Sequence, residues 1–242
     1  MEHILEVRNL TKEFYSDYWH KCDPVIAVDN VSFKIKSGEL VCIFGQNGSG
    51  KTTLIKMLSG IILPTKGKIY INNYELNEFN NAVKRYIGLI SDDTRNFFWR
   101  LSGRENLRFF ASLYDLFFKD ADKRIEELVN LLKMDGYIER KFYTYSTGMR
   151  QKLAIARALL HNPPIVLMDE STKGLDVDSA LYLINIIKDK LVLENKKIVI
   201  FSTSDYEELV KLNTKTMLLR QGRILAYDLF ENIKYKINED TL

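Results

Sequence analysis

Two hydrophobic periods alternate along the chain. In VSFKIKSGEL, Val31, Phe33 and Ile35 alternate with polar residues and the run ends at Ser37-Gly38, the pattern of a half-exposed strand. ELVCIFG is a continuous apolar run, as expected of a strand buried on both faces. GKIYINN alternates again. RYIGLIS, PPIVLMDE and KKIVIFSTS are further short apolar runs bounded by breakers, with Pro163-Pro164 opening the second. Between them the period lengthens. Leu107, Phe110, Ala111 and Tyr114 fall on one helical face, and Ala121, Ile125, Leu128, Val129 and Leu132 on another. The spacing predicts helix from about 94 to 150, inserted between strands of a parallel sheet, hence an α/β fold. MLLRQGRILAYD reads as a hairpin around Gln221-Gly222, and no repeat or low-complexity segment is present.

Composition narrows the classes. The 242 residues suit one domain or two tightly joined subdomains, with 46% hydrophobic and 28% charged residues. A net charge of +3, from 35 basic and 32 acidic residues, is too mild to argue for nucleic acid, and no nucleic-acid partner is expected. Cys42 sits in an apolar run and Cys22 in a polar loop, which is no disulfide framework, so a reducing compartment is favoured. His3, His20 and His161 are far apart and read as structural or surface residues. MEHILEVRNL lacks a basic segment followed by an apolar core, and no run reaches the roughly 18 apolar residues of a membrane span. The chain is expected in the cytoplasm, with any membrane span supplied by a partner.

The strongest chemical signal is FGQNGSGKTTLIKMLSG. Gly45, Gly50, Lys51 and Thr52 fit G-x-x-x-x-G-K-[ST], after a buried strand and before a helical pattern. Backbone N–H groups of Gly45, Gln46, Asn47, Gly48, Ser49 and Gly50 can turn inward toward phosphate oxygens. The helix N-terminus at Lys51, Thr52 and Thr53 adds a favourable dipole. Lys51 can reach the outer phosphates, and the Thr52 hydroxyl can ligate Mg²⁺. The stretch therefore binds a nucleoside triphosphate, without saying which. No N-K-x-D motif for reading guanine is present.

IVLMDE supplies a second half. Its four apolar residues end in Asp169 and Glu170, at the sheet edge beside the phosphate loop. There Asp169 would hold Mg²⁺ through water, and Glu170 would act on the attacking water as general base. Without the phosphate loop, a strand ending in a solvated acidic turn would explain the pair equally well. Farther along, Ser146-Thr147-Gly148 opens a long helix in YSTGMRQKLAIARALL, whose N-terminus is another anion site. One nucleotide hardly needs two such helix ends, so the second suits a nucleotide held by another subunit.

Here the sequence resembles the ATP-binding subunits of ABC transporters, over nearly the whole chain. GQNGSGKTT looks like their Walker A, YSTGM (Ser146, Thr147, Gly148, Met149) like their signature, IVLMDE like their Walker B, and STKGLD like their D-loop. The resemblance implies a P-loop NTPase core of the RecA-like kind with a mainly parallel sheet, an N-terminal antiparallel β-subdomain and an inserted helical subdomain. Residues 1–92 and 151–242 would form the core and 93–150 the insertion. It also implies ATP and Mg²⁺ as cofactors and a head-to-tail homo- or heterodimer. Ser146 and Gly148 would reach the γ-phosphate across that dimer, and Asp176 would bridge to the other subunit. An aromatic of TKEFY would stack on adenine. Phe14 falls at that position, although a core aromatic ending a first strand would look the same.

Two positions depart from the family pattern. Where relatives carry a glutamine that touches Mg²⁺ and the attacking water, Asp92 stands, or Asp93 if the register slips. A carboxylate there can still ligate Mg²⁺. Where relatives carry a histidine after the last sheet strand, Ser204 stands. A hydroxyl donates one hydrogen bond but is never cationic, and losing a preorganised donor costs roughly 10²–10³ in rate. Intact ATP binding with slow hydrolysis is therefore expected, with Glu170, Ser204 and Asp92 as the catalytic set and Thr52, Asp169 and Asp92 around the metal.

By the same resemblance, a separate membrane permease would dock near Phe97, Phe98, Trp99 and Arg100, a cluster that also includes Arg95 and Arg104; local core is the other reading of those aromatics. This would hold the chain at the cytoplasmic face of the membrane. YSTGMRQKL and GLDVDS look more like exporter than importer subunits. Two other readings stand beside transport. One is an ATP-sensing regulatory protein, favoured by Asp92 and Ser204 and opposed by Asp169-Glu170. The other is a nucleotide-gated clamp on nucleic acid or ribosomes, opposed by the single nucleotide domain and balanced charge.

Overall fold

The computed structural model describes residues 3–15, 24–77, 79–91 and 97–240. Among these residues, ten strands form two sheets. The first holds β1 (Ile4–Phe14), β2 (Val25–Lys36), β4 (Lys66–Ile71) and β5 (Tyr74–Glu75) in the antiparallel order β2-β1-β4-β5. The second holds β3 (Leu40–Phe44), β6 (Ile87–Ile90), β7 (Ile165–Asp169), β8 (Ile198–Thr203), β9 (Lys215–Arg220) and β10 (Arg223–Leu229). Its order is β10-β9-β3-β8-β7-β6, parallel throughout except for the final hairpin. Gln221 and Gly222, both at positive φ, make that hairpin turn.

The buried strands divide two cores by alternation. Leu40, Cys42 and Phe44 of β3 face the helical side, while Val41 and Ile43 face the antiparallel sheet and α1 (Lys51–Leu58). On β8, Val199 and Phe201 join the first core and Ile198 and Ile200 the second. Burial pushes the Cys42 thiol up, as for an inert core cysteine. Cys22 and His20 lie outside the described residues.

The long helical stretch is broken up. A short α2 (Asn81–Lys84) precedes β6; α3 (Gly103–Ser112) and α4 (Phe118–Leu132) follow it. Ser102 caps α3, accepting from the Glu105 N–H while the Glu105 carboxylate accepts from the Ser102 N–H. Ala121, Ile125, Leu128, Val129 and Leu132 form the buried face of α4, as their spacing requires. Lys133 then turns left-handed (φ 53°) and ends the helix. From there Met134, Ile138, Phe142 and Tyr145 reach the core from turns and a single 3₁₀ turn, Phe142–Thr144, so helical spacing was the wrong guide over this segment. Tyr114 likewise lies past the end of α3, stacked on His161.

The chain continues through α5 (Thr147–Leu159) and α6 (Val177–Asn185), which runs on through Ile186–Glu194 with π-helical winding. It finishes with α7 (Tyr206–Leu212) and α8 (Phe230–Asp240). Among the described residues, no helix is long and apolar enough to cross a membrane.

Candidate nucleotide site

The site forms at the carboxyl edge of the parallel sheet, where β3, β7 and β8 end side by side. β3 delivers Phe44 to the edge, the chain turns through residues 45–50, and α1 begins at Lys51. Glycine is required twice by close approach. A Cβ on Gly45 would lie 2.3 Å from the Leu219 carbonyl oxygen, and one on Gly50, at φ 105°, 2.3 Å from that of Ala27. Gly50 caps α1 with no side chain, which leaves the helix's first N–H groups open toward the loop.

Lys51 is only 4% exposed. Its ammonium donates to the carbonyls of Gly45 (2.8 Å) and Gln46 (3.1 Å) and lies 3.9 Å from Glu170 Oε1. Burial lowers its pKa, and the nearby Glu170 and Asp169 carboxylates oppose that shift. One cavity is lined by Ala27, Asn47, Gly48, Gly50, Lys51, Thr52, Thr53 and Glu170, with Thr52 exposed to it. Beyond Gln46 and Ser49, on the other side of the loop, Leu218, Gln221, Leu225 and Ile237 border a second cavity.

β7 ends in Asp169, and the next residue, Glu170, adopts φ 46°. That left-handed turn swings Glu170 toward the phosphate loop, where Asn47 and Glu170 border a third cavity with Thr172, Lys173, Thr203, Ser204, Asp205 and Glu208. Lys173 Nζ stands 3.5 Å from Glu170 Oε2. Ser204 is exposed there, one residue past the end of β8. The turn that carries it is fixed on both sides: the Thr203 hydroxyl donates to Glu208 Oε2 (2.5 Å) and accepts from the Asp205 N–H (2.9 Å).

The signature residues pack against the loop that follows Glu170, with Thr147 beside Gly174 and Gly148 beside Leu175. Ser146 caps α5, accepting from the Met149 N–H at 3.3 Å, and is exposed together with Thr147. Neither cavity that Glu170 borders includes residues 146–149. The same helix is nevertheless tied to the end of β7, because Gln151 Nε2 donates to the Ser171 carbonyl at 2.8 Å. Asp176 caps α6, and the hydrogen bond from the Ser179 N–H holds its carboxyl below the usual range. Phe14 ends β1 opposite Val25, two residues from Ala27 along β2, and is 42% exposed, so it is no core aromatic.

One expected docking residue is corrected. Phe97 is buried, with its ring 4.9 Å from Phe142 and 5.6 Å from Phe110, and belongs to the core. Phe98, Trp99 and Arg100 are exposed. Three consecutive bulky residues in an irregular segment cannot all face one side, and the pocket beside Phe142 takes the first. Arg104 is engaged by Glu126 and Glu139. Asp92, Asp93 and Arg95 lie outside the described residues.

Among the described residues, no cluster of three or more His, Cys, Asp or Glu side chains could hold a metal ion by itself. The donor set present, Thr52 and Asp169 beside a phosphate cradle, fits Mg²⁺, which keeps several waters and shares substrate phosphates. Two contributors were not read from the sequence. Lys173 is visible in STKGLD three residues after Glu170, but nothing local marks its ion pair. Ser202 meets Asp169 only through the register of two distant strands.

Known proteins share the chain's family and fold. The family model for ABC transporters matches residues 28–173, from β2 through the loop after β7. The chain is 35% identical to the ABC transporter ATP-binding protein NatA of Bacillus subtilis (strain 168), over 86% of this chain and 84% of that protein. It is 31% identical to the methionine import ATP-binding protein MetN of Halalkalibacterium halodurans, over 89% of this chain and 66% of that protein. Its fold matches a dimeric post-hydrolysis structure of the ATP-binding cassette MJ0796 bound to ADP and Pi, with a TM-score of 0.82, 28% identity and coverage of 93% and 98%. A phosphate cradle, an Asp-Glu strand end and a capped signature helix, on this sheet order, identify the chain as a member of the ABC transporter family, an ATP-binding subunit.

Proposed function

We propose that the chain hydrolyses Mg-ATP in a dimer of such subunits and thereby drives a separate membrane permease. The observation that carries the reading is the placement of Lys51, Thr52 and Glu170 around one cavity, with Asp169 at the adjoining strand end. Residues 45–53 bind the triphosphate, and Lys51 moves from the Gly45 and Gln46 carbonyls to the outer phosphates. Thr52, Asp169 and Asp92 would hold Mg²⁺, which would supply charge neutralisation for the phosphates. Glu170 takes the proton of the attacking water, and Ser204 donates a single hydrogen bond toward the γ-phosphate. Because that donor is short and neutral, turnover is slow.

The dimer reading is supported by the exposed Ser146 and Thr147 of the signature turn, which do not line the chain's own cradle cavity. Across the dimer it completes the partner's site, and Asp176 bridges the two copies. Phe14, exposed at the end of β1 opposite Val25, stacks on adenine. Residues 93–150 act as the helical subdomain, and Phe98, Trp99 and Arg100 form its permease contact, holding the chain at the cytoplasmic face of the membrane. Transport is outward; GMRQKL and GLDVDS support this direction, while the methionine-import relative shows that likeness alone does not decide it.

Mg-ATP turnover of the purified chain beside Glu170→Gln tests the reading. Turnover in the parent that is lost in Glu170→Gln supports a hydrolytic motor. ATP bound by both without turnover in either supports an ATP-sensing regulatory subunit instead.

A further inference from the structure

Ser202 is fully buried at the fifth position of β8, after Ile198, Val199, Ile200 and Phe201. A hydroxyl among such neighbours carries a desolvation cost unless it is hydrogen-bonded. Here it is bonded twice. Its Oγ donates to Asp169 Oδ1 at 2.7 Å and accepts from the Glu170 N–H at 3.3 Å. The same N–H also reaches the Ser202 carbonyl at 3.2 Å. Register makes this possible, because Ser202 lies directly opposite Asp169 in the parallel pair β7/β8.

One buried hydroxyl thus touches two consecutive acidic residues that point in different directions. Asp169 continues the strand, whereas Glu170 leaves it at φ 46°, a conformation unusual for a residue other than glycine. The hydroxyl fixes one carboxylate oxygen of the first and the backbone of the second. We propose that Ser202 is a positioning residue for the metal-dependent step: it orients Asp169 toward bound Mg-ATP and holds the turn that presents Glu170. This rests on the hydrolytic reading of the site given above.

Ser202 borders none of the three cavities at the phosphate loop, so its loss should act on the metal contribution and leave nucleotide contacts alone. Removing a partner that orients a metal ligand costs about 10–100-fold in metal affinity or activity. The test uses the full chain and its Ser202→Ala, Ser202→Thr and Ser202→Cys variants. ATP binding is titrated with a chelator and with Mg²⁺, and Mn²⁺ bound with ATP is followed by electron paramagnetic resonance. Ser202→Ala is expected to bind metal-free ATP like the parent, lose about 10–100-fold in Mn²⁺ affinity and fall in kcat. One of the other two variants, through its hydroxyl or its isosteric thiol, is expected to recover part of the loss. Unchanged Mn²⁺ affinity in Ser202→Ala overturns the inference, as does an equal loss of metal-free ATP binding, which would mark general disruption; thermal midpoints of the nucleotide-free variants check folding. A parent chain whose ATP binding gains nothing from metal overturns the hydrolytic reading itself.

Discussion

Lys51 Nζ stands 3.9 Å from Glu170 Oε1, so the buried ammonium of the phosphate loop faces the carboxylate at the end of β7. Lys173 approaches the other oxygen of that carboxylate from the solvent side, at 3.5 Å and 66% exposed. On the proposed reading, an arriving triphosphate competes with Glu170 for Lys51. Lys51→Met should therefore weaken ATP binding by about 10–100-fold, the worth of charged hydrogen bonds. The nucleotide-free fold should also lose some stability, because the Gly45 and Gln46 carbonyls lose their donor, although Glu170 keeps Lys173 and contact with water. Isothermal titration and thermal unfolding of the two chains check both halves.

Acid should act on the fold through His161. Burial lowers its pKa to about 4, its Nε2 lies 3.1 Å from the Ile87 carbonyl, and its ring stacks on Tyr114. In the unfolded chain it titrates near 6.5. Between these values the unfolded chain binds the extra proton, so stability is complete above about 6.5 and declines as pH falls toward 4. The loss amounts to roughly 2–3 kcal/mol. In His161→Phe, denaturant unfolding between pH 7 and pH 4 should show a correspondingly shallower decline.

The two aromatics flanking Phe98 should behave oppositely. Phe97→Ala empties a buried site between Phe110 and Phe142, and should cost about 3–5 kcal/mol. Trp99 is 53% exposed, with the Arg150 guanidinium 5.2 Å from its ring centre. Trp99→Ala should leave ATP binding and the thermal midpoint nearly unchanged while abolishing transport with the permease. A large fall in midpoint for Trp99→Ala would place it with the core instead.

Ser204 offers a gain-of-function test. Its turn is already held by the Thr203–Glu208 and Thr203–Asp205 hydrogen bonds, so a longer donor can be carried without rebuilding the loop. Ser204→His should raise kcat by roughly 10²-fold if the missing donor limits hydrolysis. An unchanged kcat would show that the hydroxyl suffices.

Local pattern revealed what local chemistry determines. Gly45, Gly50, Lys51 and Thr52 were legible because cradle, helix start and strand are contiguous in the chain. Asp169 and Glu170 were legible because an apolar run ending in acid has few uses beside such a loop. Phe97 was not, since its burial depends on Phe110 and Phe142, which arrive from other segments. Nor was Ser202, whose role exists only because β8 pairs with β7 in a register that sets it opposite Asp169. Residues 133–146 misled because their apolar side chains fill the core from turns, where helical spacing carries no information.

The proposal that two subunits enclose ATP between cradle and signature is tested most directly by molar mass in solution. Glu170→Gln, which should bind but not hydrolyse ATP, is measured by light scattering after size exclusion, with Mg-ATP and with Mg-ADP. A dimer with ATP that returns to monomer with ADP, and that Ser146→Arg prevents while ATP still binds the monomer, is the expected result. A monomer under every condition, with ATP bound, would contradict a shared site.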